Sequence, residues 1–334
     1  MSARVLKVDL SSPDSSAMAL AADTLQRGGL VAFPTETVYG LGANALDDAA
    51  VGRIFAAKGR PSFNPLIVHV SDEDAARGLV REWPERAALV ARAFWPGPVT
   101  IVLRKRELVP DIVTAGLDSV ALRVPAHPIA LELLRVCGLP LAAPSANRST
   151  ELSPTTAQHV ARSLGDRLDL ILDGGATTVG IESTVVDLRN DRASILRPGV
   201  VGARELEPLV GALAVPNEPR GDTPRASPGM LERHYAPHAQ LVLFDADEMG
   251  VTLEEARRLT SDGTRVGMLL ISFDAPGPWE AVRMPPDAAR YAQRLYAALH
   301  ELDESGCSVI FVERVPDESA WLGVRDRLER ASKE

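Results

Sequence analysis

The chain has 334 residues, of which 46% are hydrophobic, 4% aromatic and 24% charged, and its formal net charge is −9. That length allows two domains of ordinary size around aliphatic cores. The acidity argues against a protein that coats nucleic acid, which is usually basic, but leaves room for a local basic cleft. No run of about eighteen apolar residues predicts a membrane span, and the N-terminus lacks the apolar stretch of a signal peptide. The two cysteines, Cys137 and Cys307, lie far apart and form no metal-ligand pattern. Together these features predict a cytoplasmic protein without disulfides.

In chain order, residues 15–28 show helical spacing that stops at a glycine pair, and LVAF (30–33) reads as a buried strand. Residues 47–60 predict an amphipathic helix with Asp47 as its N-cap. PLIVHV (65–70) is a strand, residues 72–95 are helical, and VTIVLRK (99–105) and SVALRVP (119–125) are strands. A helix follows over 127–138, then the strand LPLAAPS (139–145), a helix opened by Ser153-Pro154, and the strand DLILDGG (169–175). STVVDLR and ASILRPG add two more strands. This alternation with short joints predicts an α/β open sheet. Residues 214–230 are rich in Pro, Gly and small polar residues and read as a linker. Beyond them QLVLFDAD, TRVGMLLISF and CSVIFVE predict three parallel strands with helices between, a small Rossmann-like domain without a G-x-G-x-x-G phosphate loop.

Five segments carry polar chemistry. FPTETVYGLGANA (33–45) follows a buried strand; Thr35 and Thr37 share a side of extended chain, and Gly40 and Gly42 permit a sharp turn or close approach to a ligand. An ordinary polar turn fits these residues as well. In KGRPSFNPLIVHV (58–70), Lys58 and Arg60 suit a phosphate or carboxylate, or else complement a helix C-terminus. His69 sits among Ile and Val and needs a partner, from the core or from a ligand. APSANRSTELSPTT (143–156) places Ser145 and Asn147 where a sheet crevice opens, although it also reads as a capping loop. In GIESTVVDLRNDRASILRPG (180–199), Arg197 ends a strand as a phosphate clamp would, although a surface hairpin with ordinary polar residues fits as well. SPGMLERHYAPH (227–238) puts His234 and Tyr235 in the linker, either packed against a domain or closing a site as a lid. The chain has no Walker loop, no H-E-x-x-H, no Cys/His metal set and no G-x-S-x-G elbow.

These segments, in this order, resemble the YrdC/Sua family of threonylcarbamoyl-AMP synthases in its long, two-domain form. PTETVYGLG (34–42), KGRP with NPLIVHV (58–70), PSAN (144–147), GIESTVVD (180–187), LRPG (196–199) and SPGM…HYAP (227–237) carry the resemblance. It implies a YrdC-like twisted open sheet with a concave cleft over 1–213, a linker and lid over 214–238, and a smaller Rossmann-like α/β domain over 239–334. It further implies a nucleotidyltransferase that joins L-threonine, bicarbonate and ATP, with Mg2+, into threonylcarbamoyl-AMP and pyrophosphate. A downstream tRNA threonylcarbamoyl transferase would consume the product, with at most a weak tRNA contact here and no membrane. Transferred position by position, Thr35, Arg60, His69, Arg123 and Ser183 hold threonine. Lys58, Asn64, Ser119, Ser145, Asn147, Thr155, Arg197, His234 and Tyr235 belong to the nucleotide side. Thr150 stands where the family commonly has glycine, and WLGVRDRLERAS matches the family's closing helix only loosely. A different class, a non-catalytic module for double-stranded or ribosomal RNA, would use the same cations as phosphate contacts and weaken steeply with salt.

Overall fold

The computed structural model describes residues 3–10, 13–214 and 234–333. Most of the linker, including its SPGM half, lies outside the described residues. Ten strands form the first sheet: β1 (Arg4–Lys7), β2 (Val31–Pro34), β3 (Tyr39–Asn44), β4 (Ile67–His69), β5 (Val99–Arg104), β6 (Ser119–Arg123), β7 (Leu141–Ala142), β8 (Leu170–Asp173), β9 (Thr184–Asp187) and β10 (Ser194–Arg197). Their order is β1-β8-β2-β3-β7-β4-β6-β5-β9-β10, with parallel and antiparallel pairs mixed. The helices beside it are α1 (Ser15–Gln26), α2 (Asp48–Lys58), α3 (Glu73–Leu79), α4 (Glu85–Phe94), α5 (Asp111–Thr114), α6 (Pro128–Cys137), α7 (Ala157–Leu164) and α8 (Ala203–Val210). None of the described helices is long and apolar enough to cross a membrane.

The second sheet is wholly parallel, in the order β11 (Gln240–Phe244), β14 (Val309–Glu313), β12 (Val266–Leu270), β13 (Glu280–Arg283). Helices α9 (Met249–Ser261), α10 (Ala288–Glu304) and α11 (Leu322–Ala331) accompany it. β13 was not among the three strands expected here; EAVR is short, charged at both ends and mostly exposed, so it lacks an apolar run.

Several expectations hold at atomic detail. Asp47 caps α2 by accepting from the Ala49 and Ala50 amides. Two details of the first domain are corrected. YGLGAN forms a strand, not a turn: Gly40 pairs with Phe33 and Gly42 with Val31. A Cβ on Gly42 would lie 2.7 Å from the Phe33 ring, so this glycine makes room for an aromatic neighbour instead of turning the chain. Helix α7 opens at Thr156, whose side chain accepts from the His159 amide, and not at Ser153-Pro154. Proline there fixes an extended approach, and the cap follows two residues later.

The two halves share one apolar cluster. Val38, Leu152 and Ile181 from the first half pack with Tyr235 of the linker and with Tyr291, Leu295 and Tyr296 of α10. Gly180 and Gly323 allow the backbones to close: a Cβ on Gly180 would lie 2.4 Å from the Ala292 carbonyl oxygen, and one on Gly323 would lie 2.7 Å from that of Gly199. Gly323 belongs to the WLGVRDRLERAS segment, so that stretch serves as a close-packing surface.

Candidate functional site

The cleft forms where β2, β4 and β6 end and β3 begins. The tight turn from Thr35 to Val38 joins β2 to β3. Thr35 Oγ1 donates to the Val38 carbonyl at 2.6 Å, lies 2.8 Å from Thr37 Oγ1, and accepts from the Val38 amide. A threonine hydroxyl that satisfies its own turn in this way fixes the loop's shape. Arg123, at the end of β6, braces it: its guanidinium donates to Thr37 Oγ1 at 2.9 Å and to the Gly97 carbonyl at 3.1 Å, and pairs with Glu36 at 2.7 Å. Its charge is therefore met inside the protein.

Lys58 and Arg60 are different. Gly59, with φ of 60°, ends α2 in the left-handed region that favours glycine. That turn sends the two flanking cations to different places. Arg60 donates to the Asn64 carbonyl at 3.0 Å and the Pro65 carbonyl at 2.8 Å. Lys58 Nζ donates to the Ser145 carbonyl at 2.6 Å and to the Asn147 carbonyl. Both are buried, and among the described residues neither has a carboxylate in ion-pair contact. Burial pushes the Arg60 guanidinium down to about 9, with Arg197 a lesser like-charge contribution. Burial, then Arg60, lowers the Lys58 ammonium well below the usual lysine range. Arg197 donates to the Ser183 carbonyl and hydroxyl, both at 3.0 Å, and Ser183 in turn meets Thr100 Oγ1 at 2.7 Å.

His69 stands at the end of β4 with its ring edge-on to Phe33. Its Nδ1 is buried and has no hydrogen-bond partner among the described residues. Burial, and then Arg123, keeps its proton affinity well below the ordinary histidine range, so the ring is neutral at pH 7. His234 and Tyr235 close the cleft from the linker, their rings 4.0 Å apart and nearly perpendicular. The His234 Nδ1 and the Tyr235 hydroxyl likewise lack partners among the described residues. Tyr235 holds a φ of 62°, costly for a bulky side chain.

Thr35, Arg60, His69, Arg123, Ser145, Arg197, His234 and Tyr235 line one cavity of about 40 Å3. That is room for a few waters. Lys58 and Ser183 stand just behind this lining, tied to Ser145 and Arg197 respectively. Asn147 presents its carbonyl to Lys58, and its side-chain amide donates to the Arg148 and Glu151 carbonyls. Asn64 is fully buried with both side-chain polar atoms unpartnered among the described residues. Two expected residues are not brought to this cavity. Ser119 begins β6 while Arg123 ends it, four residues and roughly 13 Å away, and it accepts from Arg189. Thr155 faces His159 at 3.3 Å.

The most consequential residue outside the expected set is Glu182. It lines the cavity, and Arg327 of α11 donates to it at 2.7 Å. Tyr296 donates to the same carboxylate at 3.1 Å, and Ser153 also donates to it. Burial works to raise this carboxyl, but Arg327 and Arg197 overcome it and hold it down at about 2. Arg327 is 1% exposed, donates also to the Pro198 carbonyl at 3.0 Å, and sits 4.9 Å over the Tyr235 ring. The second domain therefore reaches the wall of the cleft. Glu182 is visible in the sequence within GIEST, but its partner lies 145 positions away, and no local pattern joins them.

The family model named Sua5_yciO_yrdC, described as "Telomere recombination", matches residues 23–199, and the model described as the C-terminal domain of threonylcarbamoyl-AMP synthase matches residues 201–333. The threonylcarbamoyl-AMP synthase of Pyrococcus abyssi is 44% identical over 94% of this chain and 93% of its own. That of Bacillus subtilis is 41% identical over 97% and 95%. A crystal structure of Pyrococcus abyssi Sua5 complexed with L-threonine superimposes with a TM-score of 0.92 at 42% identity, covering 98% of this chain and 97% of that one.

Proposed function

Because the chain belongs to the Sua5/YciO/YrdC family of threonylcarbamoyl-AMP synthases, over the length of both domains, we propose that it is the enzyme that converts L-threonine, bicarbonate and ATP into threonylcarbamoyl-AMP and pyrophosphate, a nucleotidyl transfer that feeds tRNA modification. The observation that carries this reading is the pair of buried cations, Lys58 and Arg60, held on backbone carbonyls instead of carboxylates. A buried charge without a counter-ion is costly unless a ligand supplies one. A triphosphate and an amino-acid carboxylate supply several.

In this reading the threonine amine adds to CO2 derived from bicarbonate, losing a proton to give an N-carboxylate. One carboxylate oxygen then attacks the α-phosphorus, the bond to the bridging oxygen breaks, and pyrophosphate leaves. Two anions must approach, and Lys58, Arg60 and Arg197 offset their repulsion. Arg123 keeps the Thr35–Val38 turn in shape, its own charge being met by Glu36. The neutral ring of His69 offers its unpartnered Nδ1 to a threonine donor. Holding both reactants in line supplies on the order of 7 kcal/mol of the barrier in favourable cases. His234 and Tyr235 exclude the water that would hydrolyse carbamate and anhydride.

Glu182, the carboxylate on the cavity wall, is engaged by Arg327. The donor set therefore suits a Mg2+ carried by the phosphate oxygens, where it would offset charge on the triphosphate, and not one held by the protein. A role in gripping an RNA duplex draws no support from this geometry, since these cations are buried where a duplex cannot reach them. The test is pyrophosphate release from ATP that requires both L-threonine and bicarbonate. Release with ATP alone, or carbamoyl transfer without ATP, would overturn the reading.

A further inference from the structure

Away from the cleft, α7 of the first domain and α10 of the second meet across a pair of histidines. His159 and His300 stack with ring centroids 3.8 Å apart and planes 25° from parallel. Glu304 lies one turn beyond His300 on the same face of α10. One donor atom from each of His159, His300 and Glu304 lies within 4.8 Å of the other two. Beside them opens a cavity of about 380 Å3, lined also by Glu151, His238 and Asp303 and by the cations Arg148 and Arg162. We propose that His159, His300 and Glu304 form a site for a borderline-soft divalent transition ion, of which Zn2+ is the type, that clasps the two domains together.

Two observations support it. Two imidazoles and a carboxylate are a common donor set for zinc, and they leave a fourth position for water. The outer nitrogen of His300 is already oriented as metal-bound histidines usually are: Nε2 faces the Ser153 carbonyl at 3.2 Å, which leaves Nδ1 as the donor. On His159 the Thr155 amide donates to Nδ1 at 3.3 Å, so an ion on Nε2 must move the ring proton to Nδ1, where Thr155 Oγ1, also at 3.3 Å, can accept it as that long amide bond is given up. In the structure Arg162 pairs with Glu304, and an ion would displace it or take the other carboxylate oxygen. Because the rings are stacked, their in-plane lone pairs run side by side. A rotation of one ring about χ2, a broad torsion in histidine, with the cavity beside it, turns both donors onto one ion. The nitrogen donors select against Mg2+ and Ca2+, which take oxygen.

The test titrates the full chain, without nucleotide, with Zn2+ alone by calorimetry, and with Co2+ alone by visible absorption. One ion should bind per chain and raise the thermal midpoint. His159→Gln and His300→Gln should each weaken it at least tenfold and abolish the rise in midpoint, with unchanged circular dichroism and pyrophosphate release. Mg2+ should produce neither signal. Undiminished binding in both variants would overturn the site, as would no binding by the unaltered chain. Loss in a His238→Gln variant alone would move the ion to the His238–Asp303 pair and overturn it too.

Discussion

The molecule contains two α/β sheets, each with a cavity at its edge, and they treat charge in opposite ways. At the first, a cavity of about 40 Å3 is walled by buried cations and by polar atoms without partners among the described residues: His69 Nδ1, His234 Nδ1 and the Tyr235 hydroxyl. At the second, a cavity of about 510 Å3 opens past the ends of β11 and β14, where Rossmann-like sheets commonly bind ligands. Its cations are met by carboxylates in water: Arg314 lies 3.6 Å from Asp245, and Arg325 pairs with Asp317. None of its lining side chains has a buried unpartnered polar atom among the described residues. Volume is thus a poor guide to chemistry in this protein. Unmet polarity under burial is the better one, because folding bears its cost and only a ligand repays it.

The contrast is sharpest at Arg327, the charged side chain with which the second domain reaches Glu182 in the first domain's cavity wall. Arg327→Met removes a fully buried guanidinium and strands Glu182, so it should cost about 3–5 kcal/mol in urea unfolding. Acid adds a signature. The folded Glu182 carboxyl is depressed from 4.5 to about 2, so its contribution is present above pH 4.5 and is lost as pH falls from there toward 2. This acid-side loss should shrink in the variant. An identical acid limb in both proteins would show that the pair is not coupled as described.

Arg60→Ala tests the cleft's own cations. Threonine-dependent kcat/KM should fall on the order of 10²- to 10³-fold, as for loss of a preorganised electrostatic contact. Stability should fall by only about 1–2 kcal/mol, for two carbonyl hydrogen bonds. Lost stability with full activity would reduce Arg60 to a prop for the Asn64–Pro65 turn. A smaller effect is expected at Thr150, whose φ of 72° suits glycine, and whose carbonyl accepts from Ala236 of the linker at 2.9 Å. Thr150→Gly should raise stability by about 1 kcal/mol, relief of strain slightly outweighing glycine's added chain entropy; a lowered thermal midpoint would count against this. The least effect belongs to the second sheet: Arg325→Ala should change stability by less than about 1 kcal/mol and leave pyrophosphate release unchanged.

What could be read from the sequence follows the same division. The cations and hydroxyls of the cleft were legible because each stands next to a strand end within a short motif. Thr35, Lys58, Arg60 and Arg197 each follow or end a segment whose type was clear. The meaning of Thr150 was legible only as a departure from glycine; its dihedral angle supplied the reason. Ser119 stands at the opposite end of β6 from Arg123, because a motif fixes a residue's strand but not which end of the strand faces the cleft. Glycine-rich β3 left a turn and a close approach equally open, because its strand identity depends on the Phe33 ring packing over Gly42. Arg327 was invisible because a buried ion pair between distant segments leaves no periodicity.

The apolar cluster that runs through both halves bears on how such a chain can be inherited. Val38, Leu152 and Ile181 share one apolar cluster with the face of α10 and the linker tyrosine. Gly180 and Gly323 fit only a backbone that comes within van der Waals contact. A second half taken from a relative therefore cannot be joined at the linker alone. It must bring a matching α10 surface, an arginine for Glu182 and a glycine opposite Gly199, so recombination has to respect the seam as well as the domain border.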